Sequence, residues 1–200
     1  MILYQIAKAL IWTTGKILWR ERSYGTENVP MRGPLIVACN HISNLDPPLL
    51  GANCPREISY MAKRELFEIP VLGPLIAAVG AYSVDREGSA RAAIKRSLEI
   101  LDAGRCIGIF PEGGRNVHGD KEPRTGVALL ASLAGAPVVP ACIIGSDRAG
   151  RLGQIKVAFG RPMTLPAGRK ATREDLAKFT DDVMGAIWAL RESVDGDSQG

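Results

Sequence analysis

Cysteine and histidine are scarce in this chain: four of one and two of the other in 200 residues. Cys39, Cys54, Cys106 and Cys142 form no Cys-x-x-Cys pair, and three of them sit inside apolar runs, where cysteine serves as a small core residue. A disulfide scaffold and a zinc centre are therefore not expected, and a reducing compartment is. Aromatic residues make up 6%, too few for a surface that stacks nucleic-acid bases. No Gly-x-Gly-x-x-Gly or phosphate-loop lysine motif occurs, which argues against dinucleotide-dependent enzymes and kinases. There is no Gly-x-Ser-x-Gly elbow either, so a serine hydrolase or thioesterase lacks its nucleophile. Repeats, linkers and low-complexity segments are absent.

The remaining composition is that of one folded domain, 46% hydrophobic and 23% charged, with a mean hydropathy near zero. A net charge of +4 and a pI near 9.0 suit an anionic partner without choosing among lipid headgroups, phosphorylated substrates and nucleic acid. Residues 1–22 stand apart. Gln5, Lys8, Trp12, Lys16 and Arg20 recur at helical spacing as one polar stripe, with Ile2, Leu3, Ile6, Leu10 and Ile17 mainly opposite. Two lysines would meet hydrocarbon in a span, so the pattern points to an amphipathic helix lying in a membrane interface. The alternative is an amphipathic helix packed on the protein's own core. No small-residue cleavage site follows it.

From residue 23 to 195 the pattern alternates strand and helix, giving an α/β fold: one domain with a mixed central sheet flanked by helices. Strands are expected at Leu35–Cys39, Ile58–Ala62, Ala81–Asp85, Cys106–Phe110, Val138–Ile144 and Ile155–Phe159, and a polar, turn-rich segment at Ser23–Gly33. Helices are expected at Pro47–Asn53, Val71–Val79 (interrupted by Gly73-Pro74), Ser89–Ala103, Gly126–Ala134 and Thr172 to about Glu192. The last begins with Thr172 and Asp175 in a capping-box-like arrangement, and residues 196–200 read as a frayed tail.

Chemistry concentrates at Asn40-His41-Ile42-Ser43-Asn44-Leu45-Asp46, directly after the first of those strands. Histidine exchanges protons near neutrality, and a carboxylate on Nδ1 would fix its tautomer and leave Nε2 as a general base. Five residues is the wrong spacing for one helix face, so the pair needs a tight loop. Asp46-Pro47-Pro48 also reads as a helix start with Asp46 as N-cap, and a loop histidine beside a capping aspartate is the competing interpretation. Two further loops follow strands: Gly80 to Asp85-Arg86, and Phe110-Pro111-Glu112-Gly113-Gly114-Arg115-Asn116. The glycines permit close backbone approach and an arginine can grip a phosphate through two parallel hydrogen bonds. Taken singly, each arginine is equally a solvated surface charge. A fourth element, the apolar run containing Val139-Pro140, reads as an edge strand because proline is tolerated there.

In this order the four elements resemble the motifs of the glycerolipid acyltransferases, the family typified by 1-acyl-glycerol-3-phosphate acyltransferase. His41 and Asp46 match the first motif, Gly80 to Arg86 the second, Phe110 to Arg115 the third and Val139-Pro140 the fourth. The likeness covers about residues 20 to 165. Gly114 departs from it, standing where the third motif usually has threonine or serine. The resemblance implies transfer of a fatty acyl group from acyl-CoA or acyl-carrier protein to the hydroxyl of a lysophosphatidate-type acceptor at the cytoplasmic face of a membrane. It leaves glycerol 3-phosphate or another lysophospholipid open as acceptor, with a non-catalytic lipid-binding protein as the alternative of a different class. It further implies His41 as base and Asp46 as its orienting acid. Arg86, Glu112, Gly113 and Arg115 would hold phosphate and glycerol, with Val139 and Pro140 supporting the acyl chain. Lys63, Lys121 and Arg124 are further candidates for the basic surface. No metal or cofactor is required, and the co-substrate is the thioester.

Overall fold

A computed structural model of the chain describes residues 2–70, 72–78, 80–84, 90–165 and 171–196. The elements run α1 (Ile2–Leu18), β1 (Arg22–Tyr24), β2 (Leu35–Cys39), α2 (Asp46–Asn53), β3 (Ile58–Lys63), α3 (Arg64–Glu68), α4 (Leu72–Ala78), β4 (Ala81–Val84), α5 (Ala90–Asp102), β5 (Cys106–Ile109), α6 (Gly126–Ala134), β6 (Val138–Ile144), β7 (Lys156–Phe159) and α7 (Arg173–Gly196).

Seven strands form one mixed sheet in the order β1-β7-β6-β2-β5-β3-β4. The five strands from β6 to β4 are parallel; β7 runs antiparallel to β6, and β1 joins β7 in parallel at the edge. β2 is apolar throughout because both its faces are covered. Ile36 and Ala38 point into a core shared with α5, α6 and α7, while Leu35, Val37 and Cys39 point into a second core with α2. All four cysteines are buried and free, as small core residues.

Several expectations change. The segment read as turn-rich contains β1, a three-residue edge strand whose partner lies over 130 residues away, a pairing with no local signature. Gly73-Pro74 does not interrupt a helix: α4 begins at Leu72, so Pro74 falls in the first turn, where a missing N–H costs little. Pro140 does not mark an edge, since β6 pairs with β2 on one side and β7 on the other. Toward β7 the ladder is bulged: Val138 pairs with Met163, Ala141 with Phe159, and Gly160 N–H donates to the Pro140 carbonyl at 2.7 Å. The absent proline N–H faces this bulge, where no ladder bond needs it. α7 extends past Glu192 because Val194 is buried and its carbonyl accepts from Lys156 Nζ at 2.6 Å. Its capping box is present: Thr172 and Asp175 exchange side-chain-to-backbone hydrogen bonds at 2.8 and 3.2 Å. Asp85, the Ser89 start of α5 and residues 197–200 of the tail lie outside the described residues.

α1 is turned the opposite way from a water-soluble amphipathic helix. Its buried positions are Tyr4, Ala7 and Gly15, and three residues of the polar stripe reach the domain while Trp12 stays exposed. Gln5 donates to Glu57, Lys8 Nζ to the Cys54 carbonyl and Lys16 Nζ to the Glu21 carbonyl. Tyr4 Oη accepts from Ile58 N–H at the start of β3, and burial pushes its phenol up to about 12. Ile2, Leu3, Ile6, Leu10 and Ile17 project outward, Ile2 at 80% exposure and Ile17 at 72%. Among the described residues no helix is long and apolar enough to cross a membrane.

Candidate active site

β6, β2 and β5 are adjacent, and the connections leave them in opposite directions: β2 continues toward β3 on one side, β5 returns to β6 on the other. In parallel sheets such a reversal opens a crevice at the carboxyl ends of the strands, the usual place for a ligand. The loops after all three strands meet there.

Asn40 fixes the exit of β2. Fully buried, its amide accepts from Ile143 N–H at 2.8 Å and donates to the Ile143 carbonyl at 3.0 Å, continuing the β2–β6 ladder through a side chain. The chain then turns tightly around the Asp46 carboxylate, which is 0% exposed. Asp46 Oδ2 accepts from Ile42 N–H and Ser43 N–H, both at 2.7 Å, and lies 2.9 Å from His41 Nδ1. Oδ1 accepts from Ser146 Oγ at 2.5 Å. Asp46 is thus not the N-cap of α2. That place falls to Leu45, without a side-chain cap bond, because the carboxylate is already committed to the loop behind it. His41 is 15% exposed and its ring stacks on Phe110 at 4.3 Å between centroids, inclined 28°. Among the described residues no protein group bonds Nε2.

The loop after β5 closes over this turn. Glu112 is 3% exposed, and one carboxylate oxygen accepts from His41 N–H at 2.6 Å while the other accepts from Asn116 Nδ2 at 3.1 Å. Burial raises the Glu112 carboxyl above its ordinary value, opposed by the hydrogen bonds from His41 and Asn116. Asn116 N–H in turn donates to the His41 carbonyl at 2.6 Å, so the two loops grip the histidine backbone from both sides. Gly113 has φ 69°, and a Cβ there would fall 2.8 Å from Arg124 Nε. Glycine therefore serves both the turn and the close approach of Arg124. Arg115, Lys121 and Arg124 are exposed, and Lys121 Nζ lies 3.4 Å from where a Gly114 Cβ would stand.

The structure thus brings together His41, Asp46 and Glu112, with Gly113 and the exposed Arg115 in the same loop as Glu112. Glu112 sits as a clamp between loops, its oxygens turned to the protein. Arg86 lies outside the described residues; the strand before it, β4, is three strand spacings from β2, about 14 Å. Val139 and Pro140 lie in the body of β6, with Val139 in the α2-side core. Sequence reasoning missed Asn40 as a ladder residue, Asn116 as a partner, and Ser146. The last follows Gly145 at the end of β6, a strand-to-turn position with no charge to draw notice.

Known proteins agree with this architecture. The acyltransferase family model matches residues 20–144. The chain is 32% identical over 177 residues to the 1-acyl-sn-glycerol-3-phosphate acyltransferase of Bacillus subtilis, covering 86% of this chain and 88% of that one. It is 27% identical to the enzyme of the same name from Streptococcus pneumoniae, covering 92% of this chain and 70% of that one. The crystal structure of the 1-acyl-sn-glycerophosphate acyltransferase of Thermotoga maritima superposes with a TM-score of 0.74 at 25% identity, over 94% of this chain and 80% of that one. With more than half its length matched and its dyad at the crevice where the sheet's connections reverse, the chain belongs to the acyltransferase family and is an acyltransferase.

Proposed function

We propose that the protein transfers a fatty acyl group from an acyl thioester, acyl-CoA or acyl-carrier protein, to the free hydroxyl of a 1-acyl-glycerol 3-phosphate. The observation that carries this reading is His41 held through Nδ1 by a buried, ionisable partner, with Nε2 free of protein bonds among the described residues. As the acceptor oxygen attacks the thioester carbonyl, Nε2 takes its proton. Collapse of the tetrahedral adduct breaks the C–S bond, and the departing thiolate receives that proton. General-base assistance of this kind typically supplies about 10²–10⁴-fold. The thioester is already activated, so the step calls for neither an acyl-serine nor a metal.

Arg115, with Lys121 and Arg124 beside it, holds the acceptor phosphate, and Arg86 is a further candidate for the same role. Glu112 and Gly113 act by shaping the loop that presents these cations. Pro140 and Val139 support the strand rather than meet the substrate. The outward apolar face of α1, with exposed Leu66 and Ile69 on and after α3, favours peripheral attachment to the cytoplasmic face of a membrane, where acceptor and product reside.

Purified protein assayed against lysophosphatidate, glycerol 3-phosphate and other lysophospholipids, with both donor types, tests the reading. Acylation of lysophosphatidate is expected, together with loss of nearly all turnover in a folded His41→Ala variant. If no acceptor is acylated with either donor, the reading fails. If His41→Ala stays active, the base assignment fails.

A further inference from the structure

β6 ends at Ile144, and Gly145 turns the chain with φ 83° into a 3-10 turn that begins at Ser146. A side chain at Gly145 would strike the Gln154 carbonyl, its Cβ only 2.4 Å from that oxygen, so only glycine fits this turn. Three residues upstream of Ser146, the Asn40 amide grips both backbone groups of Ile143. The exit of β6 is therefore locked to the loop that carries His41. Its product is a serine 2% exposed, aimed at the Asp46 oxygen that His41 does not use.

We propose that Ser146 is a positioning residue for the dyad. Its hydroxyl holds Oδ1 of Asp46 while the Ile42 and Ser43 amides hold Oδ2, so the carboxylate plane is fixed before His41 meets it. A carboxylate free to rotate would align Nδ1 only part of the time. Pinned at both oxygens, it keeps the proton on Nδ1 and Nε2 directed at the acceptor. The Val-Pro strand thereby gains a part in the site, since it delivers Ser146 to the dyad in register. The inference rests on the reading of His41 as base.

Ser146→Ala removes a single oxygen and adds nothing to clash, so the variant's thermal midpoint can be compared directly with wild type. The expected result is a roughly 5- to 30-fold fall in kcat, with the acceptor KM within about twofold, as for the loss of one hydrogen bond to a buried charge. A role confined to folding would lower the thermal midpoint and leave kcat per folded molecule unchanged, and that result overturns the proposal. The second measurement is the imidazole nitrogen NMR spectrum, simple to assign because His118 is the only other histidine. His41 is expected as the Nδ1–H tautomer in wild type, with a Nδ1–H signal that broadens by faster solvent exchange in Ser146→Ala. An unchanged His41 signal overturns the proposal even if turnover falls. This readout needs no turnover. If His41→Ala proves active, the base assignment fails on that result, while the spectrum still decides whether Ser146 orders the ring.

Discussion

The loops after β2 and β5 leave the same end of the sheet from neighbouring strands, yet they are built on opposite terms. In the loop after β2, one buried carboxylate takes Ile42, Ser43 and Ser146 as donors and faces His41 as well. In the loop after β5 the backbone is tied down through Glu112, Asn116 and the Lys121 and Arg124 amides, while the side chains of Arg115, Lys121 and Arg124 are exposed. Chemistry that moves a proton gains from groups fixed before the substrate arrives. Binding a charged headgroup gains from cations that adapt to it. The contrast predicts that damage to the first loop appears in kcat and damage to the second in KM.

Asp46→Asn is the most severe test. With its oxygen kept toward the Ile42 and Ser43 amides, the Asn NH₂ would meet Ser146 Oγ, whose hydroxyl must turn from donor to acceptor, and His41 loses the negative charge that stabilises its imidazolium. The expected loss is about 10³–10⁴-fold in kcat, with acceptor KM little altered, measured under saturating donor. Turnover within tenfold of wild type would show that the first loop is not the reactive one.

Arg115→Ala and Arg124→Ala probe the other side. Each is expected to raise acceptor KM about tenfold with kcat nearly constant, the worth of one charge-assisted contact, and the effect should shrink at high salt. If instead kcat falls and KM stays, the cations take part in the reacting geometry and the contrast between the loops disappears.

How much of this is legible in the sequence follows the same division. The apolar runs of β2 and β6 are readable to the residue because both strands are covered on two faces and carry an uninterrupted hydrophobic signal. The pairing of His41 with Asp46 is legible from spacing and residue type. What escapes are groups whose role depends on a distant partner: Ser146 and Asn40 act across about a hundred residues, and β1 pairs with β7 at similar remove. Asp46 reads as a helix cap for a related reason. Local grammar permits the cap, but the carboxylate is claimed by the loop and by the turn after β6. The third motif puts Glu112 at the substrate, whereas its oxygens turn inward to His41 and Asn116.

α1 sets a third region against these two, since Gln5, Lys8 and Lys16 of its polar side bond the domain while its apolar side is exposed among the described residues. Replacing Ile6 and Leu10 together by glutamate is expected to lower co-sedimentation with anionic phospholipid vesicles several-fold. Activity on short-chain acceptors in solution should change less than twofold, since neither side chain touches the dyad. Equal vesicle binding by the variant would assign the membrane contact to another surface.

The smallest effect belongs to Glu21, at the junction of α1 and β1. Its side chain is 2% exposed and tucks against Gly15, where a Cβ would come within 2.5 Å of one oxygen. Burial raises its carboxyl above the ordinary value, with Asn53 and Lys16 acting the other way. The folded chain therefore holds this proton more tightly than the unfolded chain. Stability from Glu21 is complete below the unfolded carboxyl value and is lost as pH rises through the native one. At neutral pH an ionised Glu21 is a cost, so Glu21→Gln, nearly the same shape without the charge, should raise the thermal midpoint at pH 7.5. The gain should diminish as pH falls through the carboxyl range. A lower midpoint at pH 7.5 would mean that Lys16 and Asn53 outweigh burial and that α1 is fastened to the domain through an ionised carboxylate.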